Sequence, residues 1–207
     1  MRNRFAVIVS VAIGVSSTVV LAEPSNGLYA GAGLFYSSID SETVRGGLPP
    51  GPYRTNGSPS GISFVFGNKW DHGNYNIGVE LDGDISLDGE TDGPCGAAVA
   101  AGPYMCEHKA TLRLRGTVSK QVGAVEMFGA IGIGTALGDA AITPTATSSV
   151  SLRGMSIGAG VSFPVGTNMN IRGEVNYDDF GSSSHNSVFH ESDYQATSVR
   201  LMAIYDF

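Results

Sequence analysis

The chain has 207 residues, 19 acidic against 12 basic side chains, and a formal charge of −7. That balance excludes a nucleic-acid binder, which needs a basic stripe to replace phosphate counterions. After the N-terminus no stretch offers about 18 consecutive apolar residues, so a later membrane-spanning helix is excluded too. Any crossing of a membrane must use strands.

Residues 1–22 read as a secretory leader. Arg2 and Arg4 supply its positive start, Phe5 to Val15 its apolar stretch, and Val20-Leu21-Ala22 its small-residue cleavage site. An N-terminal membrane helix is the competing reading, but Ser10, Gly14, Ser16, Ser17 and Thr18 interrupt the apolar run. Cleavage leaves residues 23–207 as one domain, and loss of the two arginines takes the charge from −7 to −9.

Eight segments with a period of two follow. The first is near Gly27–Ser37 and the second is Gly61–Trp70. The third, Asn74–Ser86, turns Tyr75, Ile77, Val79, Leu81 and Ile85 one way and Asn74, Asn76, Glu80, Asp82 and Asp84 the other. The fourth, His108–Val118, sets Ala110, Leu112, Leu114 and Val118 against Lys109, Thr111, Arg113, Arg115 and Thr117. The fifth is Gly123–Leu137, with Val125, Met127, Ile131 and Ile133 on one side. The sixth is Leu152–Phe163. The seventh, Met169–Asp178, opposes Ile171, Val175 and Tyr177 to Asn170, Arg172, Glu174 and Asn176. The eighth runs from Thr197 to Phe207. Its sides are Thr197, Val199, Leu201, Ala203, Tyr205 and Phe207, and Ser198, Arg200, Met202, Ile204 and Asp206.

The connections alternate in length. Asp71–Gly73, Ser119–Val122 and Pro164–Asn168 are short; Ser38–Ser60, Leu87–Glu107, Gly138–Ser151 and Asp179–Asp193 are long. Short turns on one rim and long loops on the other are the habit of bacterial outer-membrane barrels, and each segment is long enough to cross a bilayer at barrel tilt. Aromatic residues fall near segment ends: Tyr36, Tyr177 and Phe180 toward one rim, and Trp70, Phe163, Tyr205 and Phe207 toward the other. Interfacial girdles have that placement, although aromatic residues also favour strands in general.

The ending, with alternating apolar residues and a final aromatic at Tyr205 and Phe207, resembles the C-terminal assembly signal of outer-membrane proteins. The whole pattern resembles the small eight-stranded outer-membrane barrels, meaning OmpA-type transmembrane domains and opacity-protein-like surface antigens. The resemblance implies an all-β, antiparallel eight-stranded transmembrane barrel in the outer membrane of a Gram-negative bacterium. It also implies contact with outer-membrane lipids and lipopolysaccharide, and recognition of the C-terminal strand by the assembly machinery. OmpA itself carries a peptidoglycan-binding domain after its barrel; this sequence shows none after the eighth segment, so no anchoring role is transferred.

Cys95 and Cys106 lie in a Gly/Ala/Pro-rich stretch of an exported chain, where a disulfide is the default expectation. Closing so short a loop stabilises by about 2–3 kcal/mol through the unfolded state. A redox or metal pair would need a C-x-x-C spacing or further ligands, and neither is present.

The polar sides of the segments carry Glu80, Asp82, Asp84, Arg113, Arg115, Glu126, Arg172, Glu174 and Arg200. In an eight-stranded barrel these would point into a lumen that side chains just fill. Unpaired charge there is costly, so five acids and four arginines are expected to form a salt-bridge network. An ion path or gate is the functional alternative.

Asp84-x-Ser86-x-Asp88-Gly89 resembles the opening of a calcium loop, but the closing carboxylate position is Cys95. No metal or cofactor is therefore expected. His185-Asn186-Ser187, near His190 and Glu191, invites comparison with small outer-membrane lipid A deacylases, but it sits in a low-complexity stretch without a supporting acid. His72 and His108 read as surface residues. The expected function is non-enzymatic: a structural, surface-exposed barrel that displays four extracellular loops, with adhesion and a surface-antigen role as options and the loop partner unknown. A soluble lipocalin-like barrel for a small apolar ligand and a lipid-modifying enzyme are the alternatives. The sequence does not say which face of the strands points inward, and that separates the first reading from the second.

Overall fold

A computed structural model describes residues 27–45, 53–91, 104–143, 146–184 and 190–207. Nine antiparallel strands occupy them: β1 Gly27–Arg45, β2 Tyr53–Gly57, β3 Ser60–Asp71, β4 Asn76–Asp88, β5 Tyr104–Val122, β6 Val125–Thr143, β7 Ala146–Pro164, β8 Met169–Ser184 and β9 His190–Asp206. β3 to β9 pair in sequence order, and β1 pairs with both β3 and β9, so the sheet closes into an eight-stranded barrel. The closing seam runs from Tyr29↔Asp206 to Arg45↔His190.

β2 is the one strand with no counterpart in the sequence reading. It pairs with β1 from Ile39↔Gly57 to Thr43↔Tyr53, directly above the β1–β3 ladder, so β2 and β3 form one wall broken at Ser58-Pro59. Proline has no N–H for the ladder, and here its carbonyl accepts from Ser37 N at 2.9 Å instead.

Alternation sets which side is wet and which is buried, and the structure settles the direction. Outward positions are apolar and exposed, including Leu34 (68%), Ile133 (64%) and Leu201 (62%). The inward positions carry the charges. A soluble barrel needs the reverse, so the lipocalin-like alternative loses its basis.

At the rim holding Phe207 the turns are short. β5 and β6 meet through two residues, with Val122 paired to Val125 and Gly123 at φ +65°. A positive φ at the first central residue fits a two-residue hairpin turn and favours glycine. At the other rim the strands run further than expected. Most of Ser38–Ser60, Gly138–Ser151 and Asp179–Asp193 is strand, and β6–β7 pairing continues to Thr143↔Ala146. The Ser, Thr and Asp content of these stretches reads as turn, yet their backbone pairs as strand.

Candidate functional site

The lumen is stacked in three layers. At the short-turn rim, Lys69, Glu126 and Asp206 face one another. Lys69 Nζ lies 3.5 Å from Glu126 Oε2 and 3.6 Å from Asp206 Oδ1. Asn76 Nδ2 (3.3 Å) and Ser119 Oγ donate to Glu126, and Asn170 Nδ2 donates to Asp206 at 2.6 Å.

The middle layer is a lattice of charge. Period two places Glu80 opposite Arg115 and Asp82 opposite Arg113 across the β4–β5 ladder. Arg115 Nη2 donates to Glu80 at 3.1 Å, and its Nη1 donates to Glu174 at 2.6 Å and to Asn176 Oδ1. Its Nε pairs ionically with Asp82 at 2.7 Å, although the N–H is not aimed at that oxygen. Arg113 donates through Nε (2.8 Å) and Nη2 to Asp178, and through Nη1 to Asp84 at 2.8 Å. Arg172 grips both oxygens of Glu80 and approaches Glu174 at 3.2 Å, with its guanidinium 3.7 Å from the centre of the Phe128 ring. Arg200 sits opposite Glu174 in the ladder but reaches across the lumen to Asp82 (2.6 Å) and Asp84 (2.8 Å). Ser63 Oγ and Tyr29 OH cap Asp84 and Glu80.

All nine charges of this layer are 0–5% exposed. Desolvating so many ions costs several kcal/mol each, which is recovered only where each charge meets several partners in good geometry. Planar, forked guanidiniums satisfy that demand better than ammonium groups would.

Room for the forks comes from β6 and β7, whose inward faces carry small residues where the arginines lie. A Cβ on Gly132 would lie 2.9 Å from Arg115 Cγ, and one on Gly134 would lie 3.3 Å from Arg113 Cγ. A Cβ on Gly158 would press on Arg115 Nη1 at 2.8 Å, Glu174 Oε1 at 3.0 Å and Asn176 Oδ1.

The third layer, toward the other rim, is apolar: Ile39, Ala136, Leu152, Phe180, Tyr194 and Ala196 pack together. His108 joins it, with Tyr194 OH at 2.7 Å from Nδ1 and Thr111 Oγ1 at 3.0 Å from Nε2. Outside this layer, the exposed pair Lys109–Asp139 (2.6 Å) stands beyond the apolar belt. Their hydrogen bond holds the ammonium above and the carboxyl below their ordinary ranges.

Of the nine charges singled out by sequence, eight lie in the lattice, while Glu126 lies apart beside Lys69. Asp178 completes the lattice and was not singled out. It continues the series Asn170, Arg172, Glu174, Asn176 by one more step of two, which was the available signal.

Two placements differ from expectation. His108 is buried (3%), because the β5–β6 register shifts between His108 and Ala110 and turns it inward. Phe180 is also buried (1%), since it stands three residues from outward-facing Tyr177 and so falls on the opposite face. Asp84 is taken up by two arginines and is not available to a cation loop. Among the described residues, no group of three or more acids, His or Cys is arranged to hold a metal. Cys95 and His185-Asn186-Ser187 lie outside the described residues, as does the side chain of Cys106. Tyr205 and Phe207 point outward at the short-turn rim and stack edge to face at 5.2 Å.

A closed antiparallel barrel with an apolar exterior and a charged interior defines a class, the transmembrane β-barrel of the outer membrane. The sequence matches the outer membrane protein beta-barrel domain over residues 5–207, and the chain belongs to that family. Its place is the outer membrane. No curated protein matches the chain. Among solved structures it is similar to the attachment invasion locus protein Ail of Yersinia pestis, at 14% identity and TM-score 0.49, covering 88% of this chain and 100% of that one. It is also similar to Neisserial surface protein A, at 12% identity and TM-score 0.47, covering 89% and 100%. A third is the outer membrane protein AlkL, at 12% identity and TM-score 0.49, covering 100% and 97%.

Proposed function

We propose that this protein is a non-enzymatic scaffold with a closed lumen, which presents its long-strand rim at the cell surface. The observation that carries the reading is the interlocked lattice, whose four arginines and five carboxylates fill the cross-section with almost no exposure. A solute pore needs an open path, and an enzyme needs a reacting group within reach of substrate; the lattice supplies neither. The outward belt is a lipid-contacting surface, and its polar edge is where lipopolysaccharide headgroups would meet the wall.

On this reading residues 1–22 are a removable leader, 23–207 form the barrel, and Cys95 and Cys106 form a disulfide. The outward pair Tyr205 and Phe207 marks the C-terminal strand for the assembly machinery, and the short-turn rim is periplasmic. Recording from purified protein in planar bilayers tests the closed lumen. The expected trace is free of channel steps, and sustained unitary conductance would refute the reading.

A further inference from the structure

We propose that the periplasmic third of the lumen is a blind aqueous vestibule that admits water and small cations and ends at the Glu80–Arg172 pair. The inference rests on the closed-lumen reading. A small cavity, with room for a few water molecules, opens at the short-turn rim, with Lys69, Thr117, Ser119, Glu126, Ser162 and Asp206 among its walls. Its walls mix Tyr29, Ile77, Phe128 and Ile204 with polar groups, and those groups run from Lys69, Glu126 and Asp206 at the rim to Arg172 and Glu80 at the roof, so water entering at the rim finds partners on the way.

The roof is equally suited to water. Arg172 lines the cavity and is 5% exposed, yet its Nε has no protein acceptor. A buried N–H of a charged group without a partner is costly, and a water molecule at the roof relieves that cost. Above the roof the passage stops. Glu80 is held by Arg172, Arg115 and Tyr29, the lattice closes over it, and the apolar layer follows. Charge selects what enters. Among the ionic groups of the cavity, Glu80 and Arg172 neutralise each other, leaving the carboxylates of Glu126 and Asp206 against the single ammonium of Lys69. Small cations are therefore favoured over small anions.

Thiol accessibility tests this in the full chain held in lipid nanodiscs, where both rims meet solvent. Ser162→Cys and Thr117→Cys place a thiol in the vestibule from β7 and β5. Ser156→Cys places one on the same inward face of β7 within the lattice, where Ser156 is 1% exposed. Each variant is first checked for the heat-modifiable folded band, and the unsubstituted chain sets the background from Cys95 and Cys106. With 2-aminoethyl methanethiosulfonate, Ser162→Cys and Thr117→Cys are expected to react at least about 100-fold faster than Ser156→Cys, because they line the cavity, although Ser162 is only 8% exposed, and modification follows access to the thiolate. The sulfonated, anionic reagent of similar size should be several-fold slower than the cationic one at both vestibule positions.

Vestibule thiols no faster than Ser156→Cys would overturn the vestibule and leave the closed lattice standing. Equally fast reaction at Ser156→Cys would overturn the blind end and point to a continuous path, which the bilayer recording detects independently. Equal rates for the two reagents at Ser162→Cys and Thr117→Cys would overturn the cation preference.

Discussion

Replacing Arg115 by Met removes the most connected member of the lattice while keeping its volume. Arg115 serves three carboxylates, and they are not equally dependent on it. Glu80 keeps both oxygens on Arg172. Asp82 keeps Arg200 at 2.6 Å and a longer contact with Arg113 at 3.4 Å. Glu174 keeps only the 3.2 Å approach of Arg172, and Asn176 Oδ1 loses its donor. Removing one partner from a buried ionic network costs about 3–5 kcal/mol, mostly through the charge left behind. That charge is chiefly Glu174, so Arg115→Met/Glu174→Gln should cost less than the two single changes added together, with a coupling of at least about 1.5 kcal/mol. The assay is reversible urea unfolding in phospholipid vesicles, followed by tryptophan fluorescence and by heat-modifiable electrophoresis. If Arg115→Met stays within about 1 kcal/mol of the unsubstituted chain, or if Glu174→Gln brings no relief, the lattice is not what holds the lumen together.

Neutralising Arg113 and Arg115 together should lower the melting temperature in detergent well below that of either single variant, as read by the electrophoretic shift. Leu201→Arg, on the exposed side of β9, should cost about 2–4 kcal/mol if that side faces lipid near the bilayer centre; an unchanged urea midpoint in vesicles would place that side in water. Gly158→Leu should block folding or cost about 3 kcal/mol through overpacking against Arg115, Glu174 and Asn176. Gly173→Ala, whose added Cβ meets nothing within 4 Å, should leave the midpoint unchanged in the same titration. Phe207→Ala should reduce the amount assembled in cells while leaving refolding of purified protein into detergent intact, and equal cellular levels would remove Phe207 from the assembly signal.

The sequence carried the barrel well because strand periodicity is strict and turn chemistry is local. Asn74–Ser86 shows it best: five apolar residues alternate with polar ones, and β4 occupies nearly those bounds. The misses have separate physical causes. β2 was hidden because Tyr53–Gly57 is flanked by Pro and Gly, and its strand character comes from the β1 edge beside it. The outer halves of β6 and β7 look like loop in the sequence because alternation of polar with small residues carries no contrast. His108 was misplaced by a register shift that only the paired strand reveals. Pairing within the lattice was also beyond the sequence. Arg200 faces Glu174 in the ladder and binds Asp82 and Asp84 instead, a choice made by the curvature of the wall rather than by spacing along it.

The direction of the two faces is the step on which location depends, and it follows from steric as well as hydrophobic terms. Exposed apolar side chains such as Leu34, Ile133 and Leu201 would each forfeit about 1.5–3 kcal/mol if water, not lipid, surrounded the wall. Turning the sheet inside out to spare them would place those branched side chains in a lumen sized for the opposite face. Around the lattice the inward positions of β6 and β7 include Gly132, Gly134, Gly154 and Gly158, with Ala130, Ala136 and Ser156. They leave one wall of the lumen empty, and four guanidiniums from β5, β8 and β9 fill that space. Small residues on one wall and long charged residues on the others are complementary only when both point inward. The glycine pattern and the arginine pattern are thus two halves of one packing solution, and that solution puts the apolar belt in the membrane.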